Sequence, residues 1–176
     1  NPDVKTCEDF KLVDLLNELR SQGLVKHIGC SSTSPHLAEY IKWNVFDVFQ
    51  IPYSAIERRH ENLITLAAES GSGVIIRGGV AKGEPGVTGG KLVTDAWRTF
   101  EKAGLDELRM PGESRTAFML RFTLSHPHCH TTIVGTLQPA HLAENIDTAM
   151  RGPLPADVYE EAKKRLDAAG ESPETA

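Results

Sequence analysis

Apolar positions recur along the chain in two alternating rhythms. Phe10, Leu12, Val13, Leu15, Leu16 and Leu19 fall at helical spacing, and Gly23 follows as a stop signal. Residues 24–30 are short, partly β-branched and closed by a Ser/Thr cluster, which predicts a strand. Ser34-Pro35 predicts an N-cap followed by proline at the first helical position, opening a helix through about residue 42. The rhythm then repeats. Residues 45–51 and 73–76 predict the second and third strands, with a helix over 58–69 between them. The glycine-rich stretch 78–90 reads as loop. Further helices are predicted over 94–103, 114–125, 139–150 and 155–168, the last of them solvated, with a fourth strand at 131–135. Residues 171–176 are expected to fray.

Strands separated by helices imply a parallel sheet, because hairpins cannot supply such long crossovers. The strands are nearly all apolar, as expected when both faces are covered. A doubly wound sheet and a segment of a barrel both satisfy this pattern. The βα rhythm is the only internal repeat, and residues 1–170 read as one domain.

Composition narrows the function classes. The chain has 176 residues, enough for one compact domain, and 40% of them are hydrophobic, too many for a disordered chain. A net charge of -5 argues against general nucleic-acid or anionic-membrane binding, since either needs a basic surface. No apolar run approaches the ~20 residues that span a bilayer. Cys7, Cys30 and Cys129 are few, odd in number and not preceded by a secretory signal, so reduced thiols and a cytoplasmic location are expected. The first residue is Asn1 and not Met, which suggests a processed, trimmed or partial chain.

Four motifs in register choose between the two folds. Residues 23–32 (GLVKHIGCSS) resemble the fifth-strand signature of the aldo-keto reductase family. Residues 46–54 (FDVFQIPYS), with Arg58-Arg59 after them, are similar to the sixth strand, and residues 73–83 (GVIIRGGVAKG) to the seventh. Ile133-Val134-Gly135-Thr136, then Pro139-Ala140-His141-Leu142-Ala143-Glu144-Asn145, resembles the eighth strand and its nucleotide-binding helix. Order and spacing agree over residues 10–150. The resemblance implies an α/β fold: half of a (β/α)8 TIM-type barrel, completed by association, with its site at the C-terminal strand ends.

The resemblance also implies a cofactor, NADP with NAD as the alternative, and hydride transfer to an aldehyde or ketone. By register, Ser31 and Gln50 hold the nicotinamide carboxamide. Ser32 stands where the family usually has asparagine and is less able to bind an amide twice. Arg77 replaces a stacking aromatic, and its guanidinium can also stack or pair with phosphate. Gly78, Gly79, Val80 and Ala81 form the loop along the pyrophosphate. Lys82 reads as a solvated loop charge, with phosphate contact as the alternative. Gly135 and Thr136 lead into a helix N-terminus, a geometry that favours anions. Gly135, Leu137 and His141 stand where the family often places lysine or arginine for the 2′-phosphate, which brings NAD into play. Glu144 and Asn145 match the pair that contacts adenine. For each residue the plainer alternative is a strand-end cap, a structural ion pair or a polar surface.

In the family a tyrosine, backed by lysine, aspartate and histidine, protonates the carbonyl oxygen, and all four lie on the first four strands. The chain begins after the fourth strand in this register, so no catalytic residue is assigned to it. Tyr53 matches a structural tyrosine. The run His126-Pro127-His128-Cys129-His130 has ligand types suited to zinc or copper, but Pro127 makes it a turn, and no metal site is assigned. Cys30 reads as a small strand residue and His60 as a solvated helix start. The expected partners are a small carbonyl substrate and either a missing N-terminal half or a second copy, since half a barrel leaves open strand edges. Three functions compete: the cofactor half of a carbonyl reductase, a non-catalytic dinucleotide-binding module, and an oligomerising half-barrel.

Overall fold

In a computed structural model the chain is described over residues 3–81, 83–84 and 94–175, without the side chains of 94–96. The elements alternate as follows: α1 (Val4–Asp9), α2 (Leu12–Ser21), β1 (Gly29–Ser31), α3 (His36–Trp43), β2 (Val48–Pro52), α4 (Glu61–Glu69), β3 (Gly73–Arg77), α5 (Thr94–Lys102), a 3-10 turn at Leu105–Leu108, α6 (Arg115–Leu124), β4 (Thr131–Thr132), α7 (Pro139–Arg151) and α8 (Ala156–Ala168). The four strands form one parallel sheet in the order β1-β2-β3-β4. A doubly wound sheet reverses its strand order at a switch point. An unbroken order has no such point, and right-handed crossovers then carry every connecting helix to the same face.

Alternation within the strands sorts their two faces. Phe49, Ile51, Val74 and Ile76 are fully buried in the core, with Tyr40, Ile64, Phe118 and Phe122. Their neighbours Val48, Gln50, Ile75 and Arg77 are only half-buried. Both faces were expected to be covered; in the described residues one face is packed and the other is partly open. Close strand approach fixes Gly29, because a Cβ there would collide with Val48 Cγ1 and the Val48 carbonyl. Asp47 pins the start of this pair, accepting the Ile28 N–H at 2.8 Å and pairing with Arg20 at 3.2 Å. The Ile28 N–H, followed by the Arg20 charge, holds the Asp47 carboxyl below the usual carboxylate range.

Helix starts follow their caps. Asp3 accepts the Thr6 N–H at 2.6 Å and opens α1, a helix that the hydrophobic pattern does not announce. Ser114 accepts the Ala117 N–H at 3.0 Å and opens α6 as predicted. Pro35, not Ser34, is the residue that precedes α3, and no side chain caps it.

Three expectations need correction. The strands are shorter than read: β1 loses residues 24–28, where Leu24 and Val25 stay exposed, and β4 keeps two residues, with the Ile133 N–H still donating to the Ile76 carbonyl at 2.9 Å before the pairing ends. His60 is not solvated but 1% exposed, and its Nε2 accepts the Ser34 N–H at 3.1 Å. Among the described C-terminal residues expected to fray, Glu171 and Glu174 are tied down. Glu171 Oε1 accepts the Arg58 N–H at 2.6 Å, the Glu174 N–H donates to the Arg59 carbonyl at 3.0 Å, and Asn62 Nδ2 donates to the Glu174 carbonyl at 2.8 Å.

The histidine-rich turn serves the backbone. His130 Nδ1 accepts the Val74 N–H at 2.9 Å, and His126 Nδ1 accepts the His128 N–H at 3.1 Å. No helix among the described residues is long and apolar enough to cross a membrane.

Candidate functional site

Parallel pairing in register brings the C-terminal strand ends to one rim. Ser31 lies opposite Gln50, Gln50 opposite Ile75, and Pro52 opposite Arg77. Strand alternation turns Ser31 and Gln50 away from Phe49 and Ile51, toward the partly open face. The Ser31 hydroxyl donates to Gln50 Oε1 at 3.2 Å. That bond leaves the Gln50 amide NH2 as a donor directed by its own neighbour. Ser32 faces inward: it is 1% exposed, and its hydroxyl donates to the Thr33 carbonyl at 3.4 Å. Its N–H donates to the Gln50 carbonyl at 3.2 Å, so Ser32 shapes the rim through its backbone.

Arg77 closes β3, and its Nε is buried without a hydrogen-bond partner among the described residues. A tight turn follows, with Gly78 at φ 73° and the Ala81 N–H donating to its carbonyl at 2.7 Å. Gly79 is required by packing: a Cβ there would lie 2.8 Å from Thr132 Oγ1 and 3.0 Å from Thr123 Cγ2. Its carbonyl accepts the Thr123 hydroxyl at 2.9 Å. The second loop glycine is thus set by contact with α6 and β4. Lys82 lies outside the described residues.

Beyond this turn the structure opens into a cleft of about 590 Å³ between the β3–α5 loop, the start of α6 and the start of α7. Val80, Gly135, Thr136, His141, Glu144 and Asn145 line it. Ser31, Ser32, Gln50, Arg77, Gly78 and Gly79 do not. Ser114, Thr116, Val134, Gln138 and Glu84 also line it, and sequence reasoning did not single them out. Ser114 carried a signal as a helix cap. Its reach to Glu144, whose Oε1 accepts the Ser114 hydroxyl at 2.6 Å, depends on the fold.

The start of α7 faces this space with donors in hand. Pro139 has no N–H, and the Gln138 N–H is taken by Thr136 Oγ1 at 3.1 Å. The Ala140 and His141 N–H groups precede the first intrahelical bond, which the Leu142 N–H makes to the Gln138 carbonyl. Among the described residues nothing lies within 4 Å of where a Gly135 side chain would be, which leaves that backbone approachable. The volume falls within the range of about 300–1,000 Å³ usual for small-ligand sites. Peptide donors, hydroxyls, an amide and a carboxylate suit a nucleotide's phosphates, ribose and base.

The thiols and phenols stand apart from this chemistry. Burial pushes the Cys30 thiol up to about 11, with Cys7 adding to the effect, and burial does the same to Cys129. Thiols so shifted are poor nucleophiles near neutral pH. Tyr53 and Tyr159 hydrogen-bond each other at 2.9 Å, and burial raises both phenols above their ordinary range.

An unbroken parallel βα sheet with a polar cleft at its C-terminal rim is the layout of an α/β ligand-binding enzyme fold. The sequence model of the aldo/keto reductase family matches residues 2–167, and the chain belongs to that family. The uncharacterized oxidoreductase YqkF of Bacillus subtilis (strain 168) is 27% identical over 164 residues, covering 82% of this chain and 52% of that protein. The NADH-specific methylglyoxal reductase of Escherichia coli (strain K12) is 36% identical over 61 residues, covering 34% of this chain and 19% of that protein. The fold is shared with the aldo-keto reductase AKR11C1 from Bacillus halodurans. Its holo form gives a TM-score of 0.73 at 24% identity over 87% of this chain and 52% of that one; its apo form gives 0.76 at 23%, over 94% and 59%. The chain spans about half the length of YqkF and of AKR11C1.

Proposed function

We propose that the chain is the cofactor-holding half of an NAD(P)H-dependent aldo-keto reductase, corresponding to strands five to eight of the family barrel. The observation that carries this reading is the cleft, where six residues singled out by register meet beside the start of one helix. In this reading the α7 cleft holds the adenosine end of the dinucleotide. Val80 and the turn before it border the pyrophosphate. The Ser31–Gln50 pair receives the nicotinamide carboxamide, and Arg77 lies between. The bound cofactor supplies the hydride for an aldehyde or ketone, and this chain's residues bind and orient it.

The proton donor of the reaction then comes from elsewhere. The chain has three tyrosines, Tyr40, Tyr53 and Tyr159, and all are buried. Their burial supports the reading that no phenol of this chain serves as the acid. The half-buried sheet face and the exposed α7 row of Leu142, Ile146 and Met150 support completion by a second βα half, supplied by a preceding segment or by a second copy. The same exposed surface also favours a second reading, in which the half-barrel binds a dinucleotide or self-associates without chemistry. A cytoplasmic setting is consistent with either.

Oxidation of reduced nicotinamide by a simple aldehyde separates the two. With the 176-residue chain alone, turnover is expected to be absent or lower by a factor of about 10²–10⁴, the share usual for general acid catalysis. Mixing with a βα half that carries the family's aspartate, tyrosine, lysine and histidine is expected to restore it. Full turnover by the chain alone refutes the assignment of the acid to another half. No restoration, despite a stable complex, favours the non-catalytic reading.

A further inference from the structure

Arg77 is a cation without a counter-charge among the described residues. No hydrogen bond or ion pair joins its guanidinium to any of them, and its Nε is buried without a partner. Every other arginine of the chain is engaged by a neighbouring group. Glu57 borders the turn that follows, its Oε2 3.8 Å from where a Gly78 Cβ would lie, yet no ion pair joins it to Arg77. Buried donors are nearly always satisfied, and an unpaired charge in a partly buried place acts strongly on its neighbours. One such neighbour is His60, which burial, Arg59 and Arg77 together hold neutral.

The sheet places this charge beside the Ser31–Gln50 pair. Gln50 lies opposite Ile75, and Arg77 is two residues further along β3 on the same, partly open face. Strand spacing and rise put the Gln50 and Arg77 Cα atoms roughly 8 Å apart, a gap that two long side chains close. A nicotinamide ring is neutral when reduced and carries a positive charge when oxidised. We infer that Arg77 makes the site discriminate between the redox states of its cofactor, accepting the reduced form and repelling the oxidised one. The repulsion arises only after hydride has passed to the carbonyl carbon, with the proton for the oxygen supplied by the other half. It therefore acts on the spent cofactor and hastens its release. The pyrophosphate is common to both forms and leaves the comparison unchanged. The inference rests on the assignment of the Ser31–Gln50 pair to the nicotinamide carboxamide.

Isothermal calorimetry of the chain with NADH and NAD+, and with NADPH and NADP+, tests it, with circular dichroism confirming that each variant is folded. Two like charges roughly 6 Å apart at a partly exposed site are disfavoured by on the order of tenfold or more, so the reduced member of each pair should bind at least about tenfold more tightly. Arg77→Gln removes the charge. In that variant the ratio should fall toward unity, even where both affinities drop through loss of a phosphate contact. Arg77→Lys keeps the charge and should keep the preference. Added salt should narrow the ratio, because screening weakens repulsion. Equal affinity for the two redox states in the unmodified chain overturns the inference and leaves the cofactor assignment standing. A preference that survives Arg77→Gln unchanged removes Arg77 as its source. Binding of none of the four dinucleotides sinks the cofactor assignment itself, and the inference with it.

Discussion

Arg58→Ala should destabilise the fold by about 3–5 kcal/mol, the loss usual when one partner of a buried ion pair is removed. The Arg58 side chain is 3% exposed. Its Nε donates to Glu61 at 2.7 Å, and one terminal nitrogen donates to Asp167 at 2.8 Å and to the Lys163 and Glu171 carbonyls at 3.1 Å each. A single guanidinium therefore joins the β2–α4 loop to α8 and to the C-terminal residues. Truncation removes the charged donor from Glu61, Asp167 and two backbone carbonyls, and leaves Glu61 the weaker Tyr53 hydroxyl at 3.4 Å. The midpoint of urea unfolding should fall with little change in slope. The neighbouring exposed pair, Arg59 with Glu174, is the natural control, and Arg59→Ala should cost at most about 1 kcal/mol. Equal effects of the two substitutions would contradict this account of the tail.

Acidification should weaken the fold well before the carboxylates titrate. Burial, with the Arg59 charge beside it, pushes the His60 imidazole from 6.5 down to about 4, and burial does the same to His126. The unfolded chain takes up each proton near 6.5, while the folded chain resists until about 4. The stabilisation is fully present above pH 6.5 and is lost as the pH falls through that interval. Each histidine accounts for on the order of 3 kcal/mol at the acid end. Equilibrium unfolding followed from pH 7 to pH 4.5 should show this decline. Replacement of either histidine by glutamine should flatten it, at some loss of stability near neutral pH. A stability that stays level over that range would show that these side chains are hydrated in solution.

How far the sequence foretold these features depends on the range of the interactions involved. The parallel βα order and the starts of α6 and α7 were readable because Ser114, Pro139 and the alternating strand residues act locally. The register-based grouping of Val80 with Gly135, Thr136, His141, Glu144 and Asn145 meets in space for a related reason: in a parallel sheet, residues at the ends of successive strands share a rim. Strand length was misread where an apolar run has no partner. Leu24 and Val25 have strand-like character, yet they stay exposed beyond the short edge strand β1. His60 looked solvated because its neighbours in sequence are Arg58, Arg59 and Glu61. Its contact is with Ser34, 26 residues earlier, and its neighbours Arg58 and Asn62 bind a tail that returns more than a hundred residues later. Helix α1 has one buried residue, Cys7, and so leaves no periodic trace. The resemblance places Gly79 in the loop along the pyrophosphate, whereas its close contacts are with Thr123 and Thr132, which no local pattern announces.

Backbone amide NMR of the folded chain during titration with NADH asks most directly whether the strand ends and the α7 cleft form one extended site. Ser31, Gln50, Val80 and Asn145 resonances should all shift along a single binding curve with one dissociation constant. Shifts confined to the start of α7, with Ser31 and Gln50 unmoved at saturation, would contradict a dinucleotide laid across the rim.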